Sequence, residues 1–465
     1  MVIRIFRHFV PVTVILLALC ELTAISVVWY FLLGNSFSTD RAQGVIASPS
    51  LRLAILAGAA MVVTGLYHNK TLVDYKILVK HIFVGLIILC PIIIAGLLYW
   101  QNTSDSRGSV WDIYQKAALS WLLCILFSRA IFVILADLDL FKKRVIVLGV
   151  GNKAARIAAD AASAENRYFK PVAFLRCGTD PEGTSFGAIE VSEEDPDAIV
   201  RHAQALRARE VVVAADDRRG LPVRQLLQCR LAGICVIEYL DFIERETKSV
   251  DLNVLHPGWF VFSDGFRGCG PRKIGKRCFD ITLSLGLLLF TLPLLLIAWF
   301  LIVLDSRGPA LYRQKRVGLG GETFLVLKFR SMRVDAEISG RAQWAGTNDP
   351  RVTRIGRIIR KLRVDELPQL FNVLRGDMSF VGPRPERPEF VDGFAKQIPF
   401  YAERHCVKPG ITGWAQINYP YGASLEDARS KLSYDLYYVK NHGLFLDILI
   451  VLQTIRVILF ADGSR

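Results

Sequence analysis

At 465 residues, 52% of them apolar, the chain is long enough for two or three domains. Its formal charge of +14 is concentrated towards the C-terminus, where 29 Lys and Arg face 18 Asp and Glu over the 195 residues from Pro271 onward. Long apolar runs upstream of that basic stretch favour anionic lipid or phosphorylated small molecules over nucleic acid as partners, and nine cysteines with no CxxC pair and no metal-like spacing to histidine read as reduced structural thiols.

Four apolar segments fill the first third, at 10–33, 53–67, 82–100 and 117–135. Each approaches the ~20 residues that cross ~30 Å of hydrocarbon, the second being the weakest. The first is too long for a signal peptide and lacks a small-residue cleavage site. Arg4 and Arg7, then Lys70, Lys76 and Lys80, then Lys142, Lys143 and Arg144 fall on one side of a four-span arrangement. The opposite loops hold only Arg41, Arg52, Arg107 and Lys116, so both ends of this module are expected to face the cytosol. Glu21 and Arg129 lie within spans, where charge is costly, and are read as an interhelical pair or a ligand site.

Beyond the fourth span, strand-like runs at 144–148, 172–175, 211–215 and 235–239 alternate with helical stretches, the pattern of a doubly wound α/β domain over 142–245. The turn Gly149-x-Gly151-x-x-Ala154 suits a pyrophosphate on a helix N-terminus. The second strand, however, runs into Arg176-Cys177-Gly178, with no acidic residue for a ribose. A structural or regulatory module is the reading preferred over dinucleotide binding. Residues 246–270, rich in Gly and aromatics, read as a linker.

A fifth apolar run, 281–304, is long enough to span at ~1.5 Å per residue. Crossing would place the basic C-terminal segment outside the cytosol, against the positive-inside rule. Pro293 at its middle deletes a helix hydrogen bond, and a helix broken there can turn back to the face it entered from. The final run, Leu444–Phe460, is read as an interfacial amphipathic helix or an ordinary core helix.

Between these two segments lies a soluble stretch dense in Arg, Gly and Pro. Pro368 is best tolerated in a first helical turn, so a helix is expected from about Asp365 to Gly376, with Asp365 at or near its N-cap and Leu367, Leu370, Phe371 and Leu374 sharing a face. Lys328-Phe329-Arg330 follows a strand-like run. Arg351, Arg354, Arg357 and Arg360 recur at a spacing that lines a helix flank, and Gly382-Pro383-Arg384-Pro385 makes a rigid turn carrying one guanidinium. Arginine forks suit a diphosphate, and two adjacent carboxylates, Asp365 and Glu366, suit Mg²⁺ with an anionic substrate.

At these residues the chain resembles the bacterial sugar transferases, the polyprenyl-phosphate hexose-1-phosphate transferases, from about Lys273 to the C-terminus. The linked motifs are Gly308-Pro309, Gln314-x-Arg316-x-Gly318, Lys328-Phe329-Arg330-Ser331-Met332, Asp365-Glu366-Leu367-Pro368-Gln369, Gly382-Pro383-Arg384-Pro385 and Lys408-Pro409-Gly410-x-x-Gly413-Trp414. Pro420-Tyr421-Gly422 and the run from Leu432 to Tyr438 look like a branch tied to exosortase-linked polysaccharide clusters. The resemblance implies a membrane protein of α plus α/β class. Its parts would be a four-helix transmembrane bundle (1–141), a Rossmann-like domain (142–245), a linker (246–270) and a catalytic domain (271–465) with a re-entrant helix at about 278–304 and interfacial helices.

It further implies transfer of a sugar-1-phosphate from a UDP-sugar, UDP-glucose first among candidates, to undecaprenyl phosphate at the cytosolic face of the bacterial inner membrane, opening exopolysaccharide or capsule repeat-unit synthesis. Asp365 would be the nucleophile, Glu366 would help hold Mg²⁺, and Lys328, Arg330, Arg360, Gln369 and Arg384 would bind substrate. Two departures stand out. Leu292 replaces the serine common before the kinking Pro293, and Arg363-Val364 replaces a common Ser-Leu before the acidic pair. A glycosyltransferase that releases UDP and a non-catalytic membrane scaffold remain the alternatives. The oligomeric state is not legible, with the bundle and Rossmann-like module the candidates for a homodimer contact.

Overall fold

The computed structural model describes residues 2–5, 8–34, 49–67, 71, 75–101, 110–137, 142–163, 169–176, 189–190, 195–263, 270–334, 336, 349–420, 422 and 424–460. Arg7, Arg41, Lys70, Arg107, Cys177, Gly178, Cys269 and Tyr421 lie outside them. The chain divides into two compact units, Met1–Ile5 with Phe9–Glu246, and Phe6–His8 with Thr247–Arg465.

In the first unit, helices α1 (Val12–Gly34), α2 (Pro49–Val63), α3 (Tyr75–Gln101) and α4 (Val110–Asp137) all contribute to one apolar core, in which Trp29, Trp121, Ala57, Met61, Leu89 and Ile125 are buried. Polar contacts fix their directions. Near the end of α1, Trp29 Nε1 donates to Ser120 Oγ (2.9 Å) near the start of α4. Earlier in α1, at its middle, Glu21 accepts from Ser128 Oγ (2.5 Å) and lies 3.4 Å from Arg129 Nη2, later in α4. The two helices are therefore antiparallel, and Glu21 and Arg129 make the interhelical pair rather than an open site. Among the described residues, three helical stretches are long and apolar enough to cross a membrane, Val12–Phe31, Gln115–Phe132 and Arg272–Asp305, with Leu51–Val63 shorter. The protein is a membrane protein of mixed α and α/β build.

The same unit holds a five-stranded parallel sheet of β3 (Lys143–Leu148), β4 (Phe169–Arg176), β5 (Ile189–Glu190), β6 (Glu210–Val213) and β7 (Cys235–Glu238), ordered β5-β4-β3-β6-β7. Val145 to Leu148 are fully buried, as a central parallel strand covered on both faces requires. Strand β5 was not anticipated from the sequence, being only two residues long. At the β3 turn Gly149 has φ +123° and a Cβ there would lie 2.7 Å from the Ala214 backbone, so glycine is needed. Helix α5 (Asn152–Ala162) follows, and its first amides are already engaged. Asn152 N donates to Asp216 Oδ2 (2.7 Å), Lys153 Nζ to Ala215 O (2.8 Å), and Asp216 fills the space beside Gly151. An internal carboxylate thus sits at the helix end that a pyrophosphate would need, in keeping with the structural reading of this glycine turn.

In the second unit the described residues of the segment read as a linker, up to Ser263, are packed rather than free. Val250 N donates to Ser433 O (3.1 Å), Trp414 Nε1 to Lys248 O (2.9 Å), and Lys440 Nζ lies 4.7 Å from the Trp259 ring centre. Helix α10 (Gly270–Asp305) runs on without interruption through Pro293, so the expected break is absent. Proline deletes the ladder bond to the carbonyl of Leu289, and Thr291 Oγ1 bonds a different carbonyl, Leu287 O, at 2.7 Å.

Both ends of α10 grip the same soluble unit. Near its start Arg277 donates to Val373 O (2.5 Å) and Leu374 O (2.7 Å), and Asp280 Oδ1 accepts from Ser379 Oγ (3.0 Å) and Phe380 N (3.1 Å). Near its end Leu295, Ala298 and Ile302 are buried with Phe329, Ile359 and Val364. Between and around these contacts Leu289, Phe290, Leu296, Ile297 and Phe300 are exposed.

The last helix, α16 (Leu444–Phe460), buries the charged Asp447 and Arg456 together with Leu446, Ile450 and Phe460, while Leu444, Ile448, Ile455, Ile458 and Leu459 are exposed. Asp447 accepts from Lys276 Nζ (2.8 Å) and Tyr438 OH (2.7 Å), which accounts for its burial.

Candidate active site

Three elements converge on the acidic pair. The hairpin of β8 (Leu311–Val317) and β9 (Thr323–Phe329) delivers Lys328 one residue before its end. Helix α11 (Arg354–Lys361) leads into Asp365 and Glu366, and a short turn after β10 (Ser379–Val381) presents Arg384.

The local fold around the acids differs from the sequence expectation. Helix α11 is capped by Thr353, whose side chain accepts from Gly356 N (2.9 Å), and ends with Arg363 at φ +58°. A left-handed residue there stops the helix at a non-glycine, a conformation that costs about 1 kcal/mol or more. The chain then makes a 3₁₀ turn, Val364–Glu366, and the next helix, α12 (Gln369–Arg375), starts only after Pro368. Asp365 is therefore one turn ahead of the helix, not its N-cap. The reason is Pro368: lacking an N–H, it cannot continue an α ladder, so Glu366 N and Leu367 N bond carbonyls three residues back at 3.3 and 3.2 Å. The buried face of α12 is made by Gln369, Leu370, Asn372 and Val373, while Phe371 is exposed. Arg351 lies outside α11 and pairs with Asp349 (2.6 Å), so the arginine flank is shorter than the spacing suggested.

Asn372, which the sequence reading passed over, ties α12 to β9. It is fully buried, its Oδ1 accepts from Leu327 N (2.9 Å) and its Nδ2 donates to Leu325 O (2.8 Å). That bridge sets Lys328 against the acidic turn.

Glu366 Oε1 is the meeting point of three cations, Arg384 Nη2 at 2.7 Å, Lys328 Nζ at 3.4 Å and Arg363 Nη1 at 3.9 Å. Burial alone would raise its pKa, but Arg384, Lys328 and Arg363 together hold it well below the ordinary carboxylate value. Burial pushes the Lys328 amine down, with Glu366 opposing and Arg384 assisting. Asp365 makes no direct hydrogen bond or ion pair among the described residues. Burial, then the neighbouring charge of Glu366, pushes its carboxyl up to about 6, against the opposing pull of Lys328, Arg360 and Arg363. One carboxylate is locked by cations and the other is left unengaged and basic, an arrangement in which neighbouring acids are given different tasks.

Of the residues expected to bind substrate, Lys328, Arg360 and Arg384 act on the acidic pair and Gln369 is buried at the start of α12. Arg330 goes elsewhere. It is buried and donates to Ser306 O (2.6 Å) and Arg307 O (2.9 Å), closing the C-terminal end of α10. Arg363 joins the site instead, and its place two residues before Asp365 was the available signal.

No group of three or more His, Cys, Asp or Glu is gathered among the described residues. The donor set is thus two adjacent carboxylates, one without a direct partner. That fits Mg²⁺, which takes one or two carboxylates and completes its shell with water and phosphate oxygens.

Comparison with known proteins gives the family. Residues 271–461 match the family model for bacterial sugar transferases. The undecaprenyl-phosphate glucose phosphotransferase of Komagataeibacter xylinus is 33% identical over 417 residues, covering 85% of this chain and 73% of its own. The chain belongs to the bacterial sugar transferase family. The UDP-N-acetylgalactosamine-undecaprenyl-phosphate N-acetylgalactosaminephosphotransferase of Aeromonas hydrophila is 46% identical over 253 residues, 54% of this chain and 58% of that one. The undecaprenyl-phosphate galactose phosphotransferase of Salmonella typhimurium is 29% identical over 377 residues, 76% and 77% of the two chains.

Proposed function

We propose that this sugar transferase is a phosphoglycosyl transferase that moves a sugar-1-phosphate from a UDP-sugar to undecaprenyl phosphate and releases UMP. The observation that carries the reading is the division of labour in the acidic pair, with Glu366 clamped by Arg384 and Lys328 and Asp365 without a direct partner among the described residues. In the first step a carboxylate oxygen of Asp365 attacks the sugar-bearing phosphorus. The bond from that phosphorus to the bridging oxygen breaks, and UMP leaves with the electron pair. In the second step a phosphate oxygen of undecaprenyl phosphate attacks the same phosphorus and frees Asp365. Splitting the transfer this way is covalent catalysis. Lys328, Arg360, Arg363 and Arg384 outnumber the two carboxylates by two charges, which suits a diphosphate carrying two negative charges. Asp365 and Glu366 would hold Mg²⁺, which supplies charge neutralisation at the transferring phosphoryl group.

The membrane arrangement follows from the same unit. The α10 contacts at Asp280 and Leu295 are 15 residues apart, about 22 Å of helix, less than a ~30 Å hydrocarbon core. A helix whose two ends hold one soluble unit would have to drag that unit through the bilayer if it crossed. We therefore infer that α10 enters and leaves by the cytosolic face through a bend of the continuous helix at Pro293 rather than a break, with the exposed side chains around Phe290 in lipid, the outward apolar face of α16 at the interface, and four spans in the N-terminal module. UDP-glucose is the first donor to test, as the Komagataeibacter relative, whose alignment covers 85% of this chain, is a glucose phosphotransferase. The Aeromonas relative makes UDP-N-acetylgalactosamine the second.

The test is incubation of the purified protein with each UDP-sugar, undecaprenyl phosphate and Mg²⁺, reading the nucleotide released. UMP together with a lipid-linked sugar diphosphate is expected, UDP would refute the chemistry, and chelation of Mg²⁺ should stop turnover. With the lipid withheld, wild type should accumulate a phosphosugar adduct that Asp365→Asn lacks. Full turnover by that variant would overturn the nucleophile assignment.

A further inference from the structure

Arg384 reaches Glu366 from a turn whose shape is set by something other than its own backbone pairing. Pro383 and Pro385 flank it and have no N–H to give. All four carbonyls from residue 383 to 386 nevertheless accept a hydrogen bond. Pro383 O takes Gly410 N (2.9 Å) and Glu386 O takes Val317 N (3.0 Å), both backbone donors. The two in between are held by side chains. Arg404 Nη2 donates to Arg384 O (3.0 Å) and Arg316 Nη1 to Pro385 O (3.1 Å).

Each of these arginines is itself fixed. Arg404 is buried, forks onto Asp435 through Nε (3.1 Å) and Nη2 (2.7 Å), and donates from Nη1 to Tyr401 OH (2.9 Å). Arg316 donates to Gln314 Oε1 from Nε (3.1 Å) and Nη2 (2.7 Å) and lies 3.7 Å from Glu386. Glycine at 382 permits the close approach on the remaining side, since a Cβ there would lie 2.3 Å from Lys408 O. The Arg404 pair comes from a 3₁₀ turn, Tyr401–Cys406, and from helix α15 (Leu425–Asn441), and Arg316 comes from β8. Three separate elements therefore converge on two adjacent peptide units.

We propose that Arg316 and Arg404 are positioning residues, clamping the Gly-Pro-Arg-Pro turn so that the Arg384 guanidinium meets Glu366. This rests on the reading that Arg384 serves phosphosugar transfer. Neither arginine is assigned a contact with substrate. Their effect passes through Arg384, because side-chain donors with a rigid planar fork hold its carbonyl and that of Pro385 in a turn that lacks the amides of Pro383 and Pro385.

The experiment is a double-mutant cycle in the full-length protein, with Arg316→Gln and Arg404→Lys each made alone and with Arg384→Ala. UMP release gives kcat and KM for the UDP-sugar, and hydrogen exchange follows the peptide containing residues 382–387. Alone, each clamp variant is expected to lower kcat/KM by about 10-fold or more, and in the Arg384→Ala background by less than about 2-fold, the signature of residues acting as one unit. Faster exchange should be confined to the turn, with the thermal midpoint of Arg316→Gln close to wild type.

Losses that multiply in full in the Arg384→Ala background would overturn the proposal. So would unchanged exchange in the turn, or exchange accelerated across the whole C-terminal unit, which would mark a role in general stability. If Arg384→Ala turns over normally, the functional reading of Arg384 falls and the clamp falls with it. If Arg384→Ala is inactive, the exchange data alone decide whether the clamp exists.

Discussion

Replacing Glu366 by glutamine tests the electrostatic logic of the site. Asp365 is held up to about 6, roughly two units above an ordinary aspartate, or about 3 kcal/mol of preference for the protonated form. Burial is the largest cause and survives the substitution. The second cause, the neighbouring charge of Glu366, disappears. Lys328, Arg363 and Arg384 then lose the carboxylate that absorbs their charge and act more fully on Asp365. Both changes push the Asp365 pKa down, so the sign of the shift is fixed even though its parts differ in size. The acid limb of the pH profile is therefore expected to move to lower pH in the variant. The carboxylate attacks only when ionised, so activity is lost as pH falls through this pKa. With a value near 6, about one site in ten is ionised at pH 5, and a lower value raises that fraction.

The assay must isolate the first step, because undecaprenyl phosphate is a monoester whose second ionisation also falls near 6. UMP release should therefore be followed without lipid acceptor, at constant free Mg²⁺, between pH 4.5 and 8. The shape of the profile decides, not its height, since losing Glu366 also weakens the reaction at every pH. An acid limb that stays near 6 in Glu366→Gln, or moves upward, would refute the coupling.

Three further outcomes follow from the same geometry. A raised folded-state pKa means the fold carries a penalty once Asp365 ionises, so Asp365→Asn should raise the thermal midpoint at pH 8 by about 1–3 kcal/mol of stability. That gain should vanish below about pH 4, and equal midpoints at both pH values would count against it. Asn372→Ala removes two hydrogen bonds to β9 and leaves Leu327 N and Leu325 O without them, which should cost about 2–4 kcal/mol in denaturant unfolding and lower kcat by letting Lys328 drift from Glu366. Cys406 is exposed on the C-terminal unit, so as the sole remaining cysteine it should react with an impermeant maleimide only after spheroplasts are lysed. Labelling of intact spheroplasts would place this unit outside and end the re-entrant topology.

What was legible in advance was whatever rests on local pattern. Apolar runs located α1, α3, α4 and α10, and period switching located the parallel sheet, because burial on both faces writes Val145 to Leu148 as a continuous apolar run. What failed was finer than an element. The helix start was drawn at Asp365 from the tolerance of proline in a first turn, but the missing N–H of Pro368 and the left-handed Arg363 divide that stretch into a 3₁₀ turn and a later helix. The tie through Asn372 was invisible because its two partners lie 45 and 47 positions away, on a strand.

The arginines show why residue type alone under-determines a site. A guanidinium is attracted equally well by a phosphate, a carboxylate or a cluster of backbone carbonyls, and the sequence records only that it is there. Arg330 and Arg384 both stand in motifs shared with the family, yet one closes a helix end at Ser306 and Arg307 and the other meets Glu366. Arg404, outside the motifs used to recognise the family, lies one hydrogen bond from the Arg384 backbone. Which arginine faces substrate is decided by which ones have already found an acceptor within the fold. The useful question to put to a basic sequence is therefore which carbonyls lack an amide, since proline-flanked turns and helix C-termini will claim arginines first. At this site the two prolines around Arg384 create that demand, and Arg316 and Arg404 meet it.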